Sequence, residues 1–313
     1  MQLIRFADAG DSALGVVDSE GRVFDASIGF KRYLLHNGGL DYLRPVLDAA
    51  LRDPRIVLSM GPALQDILQS YLDEADDTDV VAQDLRTLDV LPFIPNPSKV
   101  FGLGYNYRAL CEKEGVEPTV YPQVFAKMPT SITSPYRALK VPSAIDKVDF
   151  EAELGVVVGR VASGVRPEDA LSYLGGLTVI NDMTAKILPR PPTEAQTTTV
   201  ALKAPDYFAP VGPVLLTPDE YEIVENASMV TRVNGQERQR FPVNDWVHDV
   251  AHVISYLSSI ITLHPGDIIA MGTSLGIGII EVPPVLLQSG DVVECEIDGY
   301  PGTKNEVLIS QGA

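Results

Sequence analysis

The chain reads as an α+β protein in which strand predominates. Three observations predict this. After Ser98, short runs rich in Val, Ile and Phe succeed one another between Gly- and Pro-bearing turns. Only one strong helical stripe interrupts those runs. Before them, strands and helical stripes mix within the first 95 residues, and Pro92, Pro95 and Pro97 form a stiff connection to the strand-rich remainder of the chain. Two units are therefore expected, a small α+β domain over 1–95 and a larger, mainly β domain over 96–313.

In chain order, Gln2–Ala7 and Ala13–Val17 read as strands, and Ser19 to Arg22 as a hairpin turn before Val23–Ala26. Leu40, Leu43, Leu47, Ala50 and Leu51 recur at helical spacing, interrupted by Pro45. Leu64, Ile67, Leu68, Tyr71 and Leu72 form a cleaner stripe, and the acidic stretch Asp73–Asp79 reads as a solvated loop. In the larger unit, strands are expected at Lys99–Gly104, Phe150–Val161, Leu177–Met183, Val211–Leu216, Met229–Val233, Gln236–Gln239, Asp267–Met271 and Asp291–Ile297. Asn234-Gly235 is a strong hairpin signal, because a type I′ turn needs positive φ at both central residues. Val247, Val250, Ala251, Ile254, Leu257 and Ile261 share one helical face, with Asp245 read as its N-cap.

Composition excludes several classes. A net charge of -18 argues against nucleic acid, whose phosphates require a basic surface. It also means that an anionic substrate needs local cations to overcome the global field. The chain carries no apolar run long enough to cross a bilayer and no signal-peptide core, so a cytoplasmic, non-membrane protein is expected. Two distant cysteines, Cys111 and Cys295, exclude a disulfide framework. Among the four histidines, His248 and His252 are spaced to share a helix face, but no third ligand lies near them in sequence.

The residues that point to chemistry are acidic. In a strand over Asp149–Leu154, alternation puts Glu151 and Glu153 on one face, which turns apolar beyond Glu153. Two like charges on such a face repel unless a hard cation lies between them. A lone Glu-x-Glu is more often the solvated end of a strand, so a third acid matters. Asp182 comes after the apolar run Leu177–Ile180 and reads either as a ligand or as a turn former.

Taken in order, further segments resemble the fumarylacetoacetate hydrolase (FAH) family. They are Phe101-Gly102-Leu103-Gly104-Tyr105-Asn106-Tyr107-Arg108, Val124–Lys127, Asp149–Leu154, Asn181–Ala185, Lys203 to Pro213, Val233–Gln236, His264–Asp267 and Gly272–Gly278. The resemblance spans about residues 98 to 306. It implies an FAH-like mixed β-sandwich roll, usually dimeric, preceded by a small N-terminal domain. It implies Mg²⁺, or Mn²⁺ or Ca²⁺, held by Glu151, Glu153 and Asp182, and a small 2-oxo or 1,3-diketo acid chelating that ion. It further implies Lys203 as a catalytic cation, with Tyr107, Arg108, Lys127, Lys186 and Thr273 as substrate contacts.

The chain departs from the family pattern in two places. Hydrolytic members carry a His, and three residues later a Glu, soon after the first motif; here those positions hold Leu110 and Lys113. Glu112 and Glu114 flank them and are the candidate replacement bases, the alternative being plain exposed charges. The Arg-Asp usual after Ala185 is replaced by Lys186-Ile187. C–C bond hydrolysis of an acylpyruvate-like acid is the first functional expectation. A lyase or isomerase on a 2-oxo acid (decarboxylation, dehydration, hydration or tautomerisation) is the second, since it needs no histidine. A catalytically impaired metabolite-binding paralogue is the third, and four retained site residues argue against it.

Overall fold

The computed structural model describes residues 1–8, 10–36, 53–145, 147–185 and 199–310. The Leu40–Leu51 helical stripe lies outside them, as does Lys186. Strand outweighs helix, as the sequence predicts.

The principal sheet has eleven strands among the described residues. Its path runs Val80–Ala82, Val23–Asp25, Asp11–Val17, Gln2–Asp8, Leu215–Leu216, Leu174–Asn181, Ala152–Val158, Ile268–Ala270, Val100–Gly104 and Gln123–Lys127, with Val90–Leu91 pairing off the path onto Gln2–Asp8. The strands before residue 95 and those after it thus share one sheet, joined where Gln2 and Leu3 pair with Leu216 and Leu215. A second sheet of five strands has the order Gln236–Pro242, Ser228–Val233, Val292–Ile297, Thr303–Ile309 and Leu139–Val141. Both hydrophobic clusters draw residues from either side of residue 95: Ile4 and Phe6 pack with Leu154 and Val156 in one, and Phe24 and Leu68 with Val157 and Ile268 in the other.

Several expectations hold in kind and shift in extent. The Asn234-Gly235 turn has φ 52° and 77° and joins its two strands as expected. The Phe150–Val161 strand contracts to Ala152–Val158, because its first N–H groups leave the ladder: Phe150 N–H donates to Asp149 Oδ1 and Glu151 N–H to Asn181 Oδ1. Leu177–Met183 becomes Leu174–Asn181, leaving Asp182 just past the strand end. Val211–Leu216 shrinks to Leu215–Leu216: Val211 keeps only an isolated bridge to Ile180, and Pro213 has no N–H to continue a ladder. The acidic stretch is not all solvated loop. A helix runs through Glu74, and Asp79 is buried against Arg32 at 2.6 Å.

Asp245 does not cap the long helix. That helix is Val250–Ile260, and its N-cap is Asp249, whose carboxylate accepts from His252 N–H at 2.8 Å. Asp245 instead serves the helix Arg108–Glu114: its carbonyl accepts from Arg108 N–H and its carboxylate from Ala109 N–H, each at 3.0 Å. The stripe pattern located the helix, but the identity of the cap rests on which N–H groups the fold brings near.

Candidate active site

The acidic residues converge because two antiparallel strands end together. Ala152 pairs with Asn181. One step beyond, Glu151 lies opposite Asp182, whose N–H donates to the Glu151 carbonyl at 2.8 Å. Directly opposed residues share a face of the pleat, and Glu153, two residues on from Glu151, shares it too. One oxygen from each carboxylate lies within 4.8 Å of the others. All three are buried, Glu153 and Asp182 almost completely.

Two ammonium groups answer these charges. Lys203 Nζ donates to Glu151 Oε2 and to Asp182 Oδ2, both at 2.6 Å. Lys127 Nζ donates to Asp182 Oδ1 at 2.5 Å and to the Lys203 carbonyl. Burial on its own would raise the Asp182 carboxyl, but Lys127 and Lys203 hold it below the usual carboxylate range. Burial would likewise lower Lys203, but Asp182 and Glu151 hold it well above the usual amine range, so it stays protonated. Glu153 is placed differently. It accepts one hydrogen bond, from Gly272 N–H at 2.7 Å, and makes no ion pair among the described residues. Burial, and then the Asp182 charge, push its carboxyl well above the usual range.

This donor set fits a hard divalent cation. Fully ionised, three carboxylates against two ammoniums would leave one negative charge uncompensated in the buried cluster, and Glu153 is the group whose surroundings resist that ionisation. An oxygen-only set of this kind suits Mg²⁺, Mn²⁺ or Ca²⁺. Gly272 is required where it stands: at φ 91° its N–H reaches Glu153, and a Cβ there would meet the Leu103 carbonyl at 3.0 Å.

The cluster opens into a cavity of about 220 Å³. Glu151, Lys203, Thr273 and Glu114 supply its polar wall. Leu103, Leu110, Phe125, Ile277 and Ile280 supply most of the apolar one. The Lys203 ammonium also sits 5.1 Å from the centre of the Phe125 ring. Tyr105 stands at the rim with φ 49°, a left-handed conformation that is uncommon for a residue with a Cβ.

Other residues expected on that wall lie elsewhere. Tyr107 is a core residue: its hydroxyl donates to the Val243 carbonyl at 3.1 Å and accepts from Trp246 Nε1 at 3.0 Å. Arg108 is exposed and does not line the cavity. Lys127 is fully buried behind Asp182, so it holds the carboxylate instead of reaching the cavity. Both Glu112 and Glu114 are exposed, and only Glu114 is on the wall. His248 and His252 stack with ring centres 4.9 Å apart and belong to no acidic cluster among the described residues. Sequence reasoning missed Thr184, whose hydroxyl donates to Glu151 Oε1 at 2.7 Å, and Asn106, whose amide ties His248 and Met271 together beneath the site. Both stand inside family motifs, but nothing in a motif says which way a side chain points.

These features define an enzyme of the fumarylacetoacetate hydrolase family. The chain belongs to that family: residues 99–308 match the model described as "Fumarylacetoacetate (FAA) hydrolase C-terminal". Its members and relatives include hydrolases, isomerases and tautomerases. The chain is 32% identical over 278 residues to the mitochondrial oxaloacetate tautomerase fahd2 of Xenopus laevis, covering 88% of this chain and 84% of that protein. It superposes on the fumarylacetoacetate hydrolase of Exiguobacterium antarcticum with TM-score 0.75 and 27% identity, covering 99% of this chain and all of the other. It also superposes on fumarylpyruvate hydrolase from Pseudomonas aeruginosa, a complex with Mn²⁺ and pyruvate, with TM-score 0.61 and 26% identity over 71% of this chain and 92% of that one. No helix among the described residues is long and apolar enough to cross a membrane.

Proposed function

We propose that the protein is a divalent-metal-dependent tautomerase of a small 2-oxo acid, with oxaloacetate as the reference substrate. The observation that carries this reading is the cavity wall at the helix Arg108–Glu114. Leu110 stands on that wall where the family resemblance puts a histidine, and Lys113 is exposed where it puts a glutamate. Hydrolysis of a C–C bond needs a base that activates water, and the wall offers no imidazole for it. Enolisation needs less: one group to take a proton from carbon, one cation near the carbonyl oxygen, and a dry surround. The relatives named as oxaloacetate tautomerases support this reading, and the Mn²⁺ and pyruvate held by the Pseudomonas neighbour support the ligand class.

Glu151, Glu153 and Asp182 would hold Mg²⁺, Mn²⁺ or Ca²⁺, and the bound ion supplies Lewis-acid polarisation of the 2-oxo carbonyl. Lys203, kept protonated by its two carboxylates, stabilises negative charge on the enolate oxygen. Glu114 accepts the proton from the carbon next to the carbonyl, and a proton from solvent at the mouth completes the enol on the oxygen. Leu110, Phe125 and Ile277 give the reacting carbon an apolar wall. The same Glu114 carboxylate favours one second reading, in which it orients water for cleavage of an acylpyruvate. A homodimer accompanies the proposal on the family resemblance alone.

The test is to incubate the purified protein with Mg²⁺ or Mn²⁺ and a panel of oxaloacetate and acylpyruvates, monitoring enol absorbance and products. Faster keto–enol exchange with neither CO₂ nor chain cleavage is expected. Glu114→Gln should lower that rate by about 100-fold. Chain cleavage makes the second reading correct, and silence across the panel points to an inactive paralogue. Light scattering reads the oligomeric state.

A further inference from the structure

Gln239 lies within the strand Gln236–Pro242, is 1% exposed, and does not line the cavity. Its Oε1 accepts from Ala152 N–H at 3.1 Å and from the Thr231 hydroxyl at 2.7 Å. Its Nε2 donates to Thr273 Oγ1 at 3.0 Å and faces the Ser274 and Leu275 carbonyls at 3.3 and 3.2 Å. The amide thus spans from the strand bearing Glu153 to the turn bearing Thr273.

Backbone groups fix which way this amide points. A peptide N–H only donates and a peptide carbonyl only accepts, so the oxygen must face Ala152 and the NH₂ must face the turn. An amide nitrogen has no lone pair to offer, so the Thr273 hydroxyl accepts from it. A hydroxyl that accepts there still has its own proton to give. Thr273 Oγ1 makes no other hydrogen bond among the described residues, and its side chain lines the cavity.

We propose that Gln239 is a positioning residue that sets the Thr273 hydroxyl as a hydrogen-bond donor toward the bound ligand, so that this wall selects a carboxylate oxygen. A carboxylate accepts in a charge-assisted bond, whereas a group that can only donate leaves the hydroxyl proton without a partner. The ligand class rests on the 2-oxo acid reading above. The coupling of Gln239 to Thr273 rests only on the hydrogen bonds just described.

The test is a double-mutant cycle on the Mn²⁺-loaded protein, with pyruvate titrated calorimetrically into wild type, Gln239→Met, Thr273→Val and the double variant. Each single change should weaken pyruvate binding by about tenfold, as expected for loss of one hydrogen bond to a charged group. The double variant should be no weaker than either single one, because both act through the same hydroxyl. Thr273→Ser should retain wild-type affinity, and Mn²⁺ affinity, titrated alone, should be unchanged in every variant. Additive losses overturn the inference. So does unchanged pyruvate binding in Gln239→Met, or loss of Mn²⁺ and pyruvate together, which would mean that Gln239 merely supports the carboxylate strand. Should Gln239→Met fail to fold, Gln239→Leu also removes the amide donor, and the same cycle is read with it. Absence of pyruvate binding to the wild type sinks the 2-oxo acid reading and the ligand half of this inference. The coupling is then read from thermal melts of the same proteins, where additive effects overturn it.

Discussion

Glu153 carries the least compensated charge of the site. It is buried, faces Asp182 and Glu151, and has one N–H for company. Replacing it with Gln removes an acid that its surroundings resist ionising and keeps the shape. Glu153→Gln should therefore melt at or above the wild-type temperature in the presence of a chelator. It should also lose the stabilisation that wild type gains from added metal, about 2.7 kcal/mol at a hundredfold excess over Kd. A variant that still rises with metal in a thermal melt would remove Glu153 from the ligand set. His248 offers a second test, independent of metal. Burial first, and then the stacked His252, lower its pKa from 6.5, against the Thr119 carbonyl and Asp249, with Arg108 lowering it further. Below 6.5 the unfolded chain binds this proton before the folded chain does, so stability is lost as pH falls from 6.5 toward the folded value. His248→Phe should flatten that limb of a melting-temperature profile; an unchanged limb would assign it to other groups.

Two short segments, each ending against a neighbour, build the site at the scale of elements. The helix Arg108–Glu114 carries Leu110 and Glu114 onto the cavity wall, and its first turn hangs on Asp245. Asp245→Ala should cost about 1 kcal/mol, the usual worth of a helix cap, and should lower activity by misplacing Glu114. The matching change Asp249→Ala should cost about as much while leaving substrate affinity alone, because its helix packs in the core. Denaturant melts with parallel kcat and KM measurements separate the two, and an equal kcat in both variants would refute the link from Asp245 to the site. Another part of the wall depends on Asp149, whose carboxylate accepts from Gly278 N–H at 2.8 Å and Ile279 N–H at 2.9 Å. A Cβ at Gly278 would run into the Val285 carbonyl and Asp149 together. The loop 277–280 is thus fixed from behind, which keeps its isoleucines on the cavity.

For the whole molecule, the sheet continuing across residue 95 places the first unit structurally, but none of its described residues lines the cavity beside Lys203. The 1–95 segment supplies one side of that sheet and shares both hydrophobic clusters with the rest of the chain. The net charge of -18 opposes the approach of an anionic acid, while Lys203 and a bound cation attract it locally. Raising ionic strength from about 10 to about 150 mM shortens the screening length from ~30 to ~8 Å, which hides the distant charges more than the adjacent ones. KM for oxaloacetate should fall over that range at saturating metal. A KM that rises instead would mean that the local cations dominate at long range.

Much of the fold and site was legible in the sequence, and the legible part has a common character. Strand period, turn chemistry at Asn234-Gly235 and the spacing of Glu151 and Glu153 are local properties, set by φ/ψ preferences and side-chain alternation within a few residues. The place of Asp182 after an apolar strand marked it as a candidate, and ordered motifs added the family and with it Lys203. Direction was not legible. Tyr107 and Lys127 stand in motifs beside true wall residues, yet one closes a hydrogen-bonded core and the other backs a carboxylate. Asp245 caps a helix 136 positions away rather than the helix next to it in sequence. Gln239 carries no sequence signal at all; its role exists only because three backbone groups from two distant segments meet its amide. The amino-acid order thus determined which elements form and which acids gather at a strand end. Which side chains face the cavity was decided by the tertiary structure, because a side chain turns toward whichever partner satisfies its buried polar atoms, and those partners lie far away in sequence.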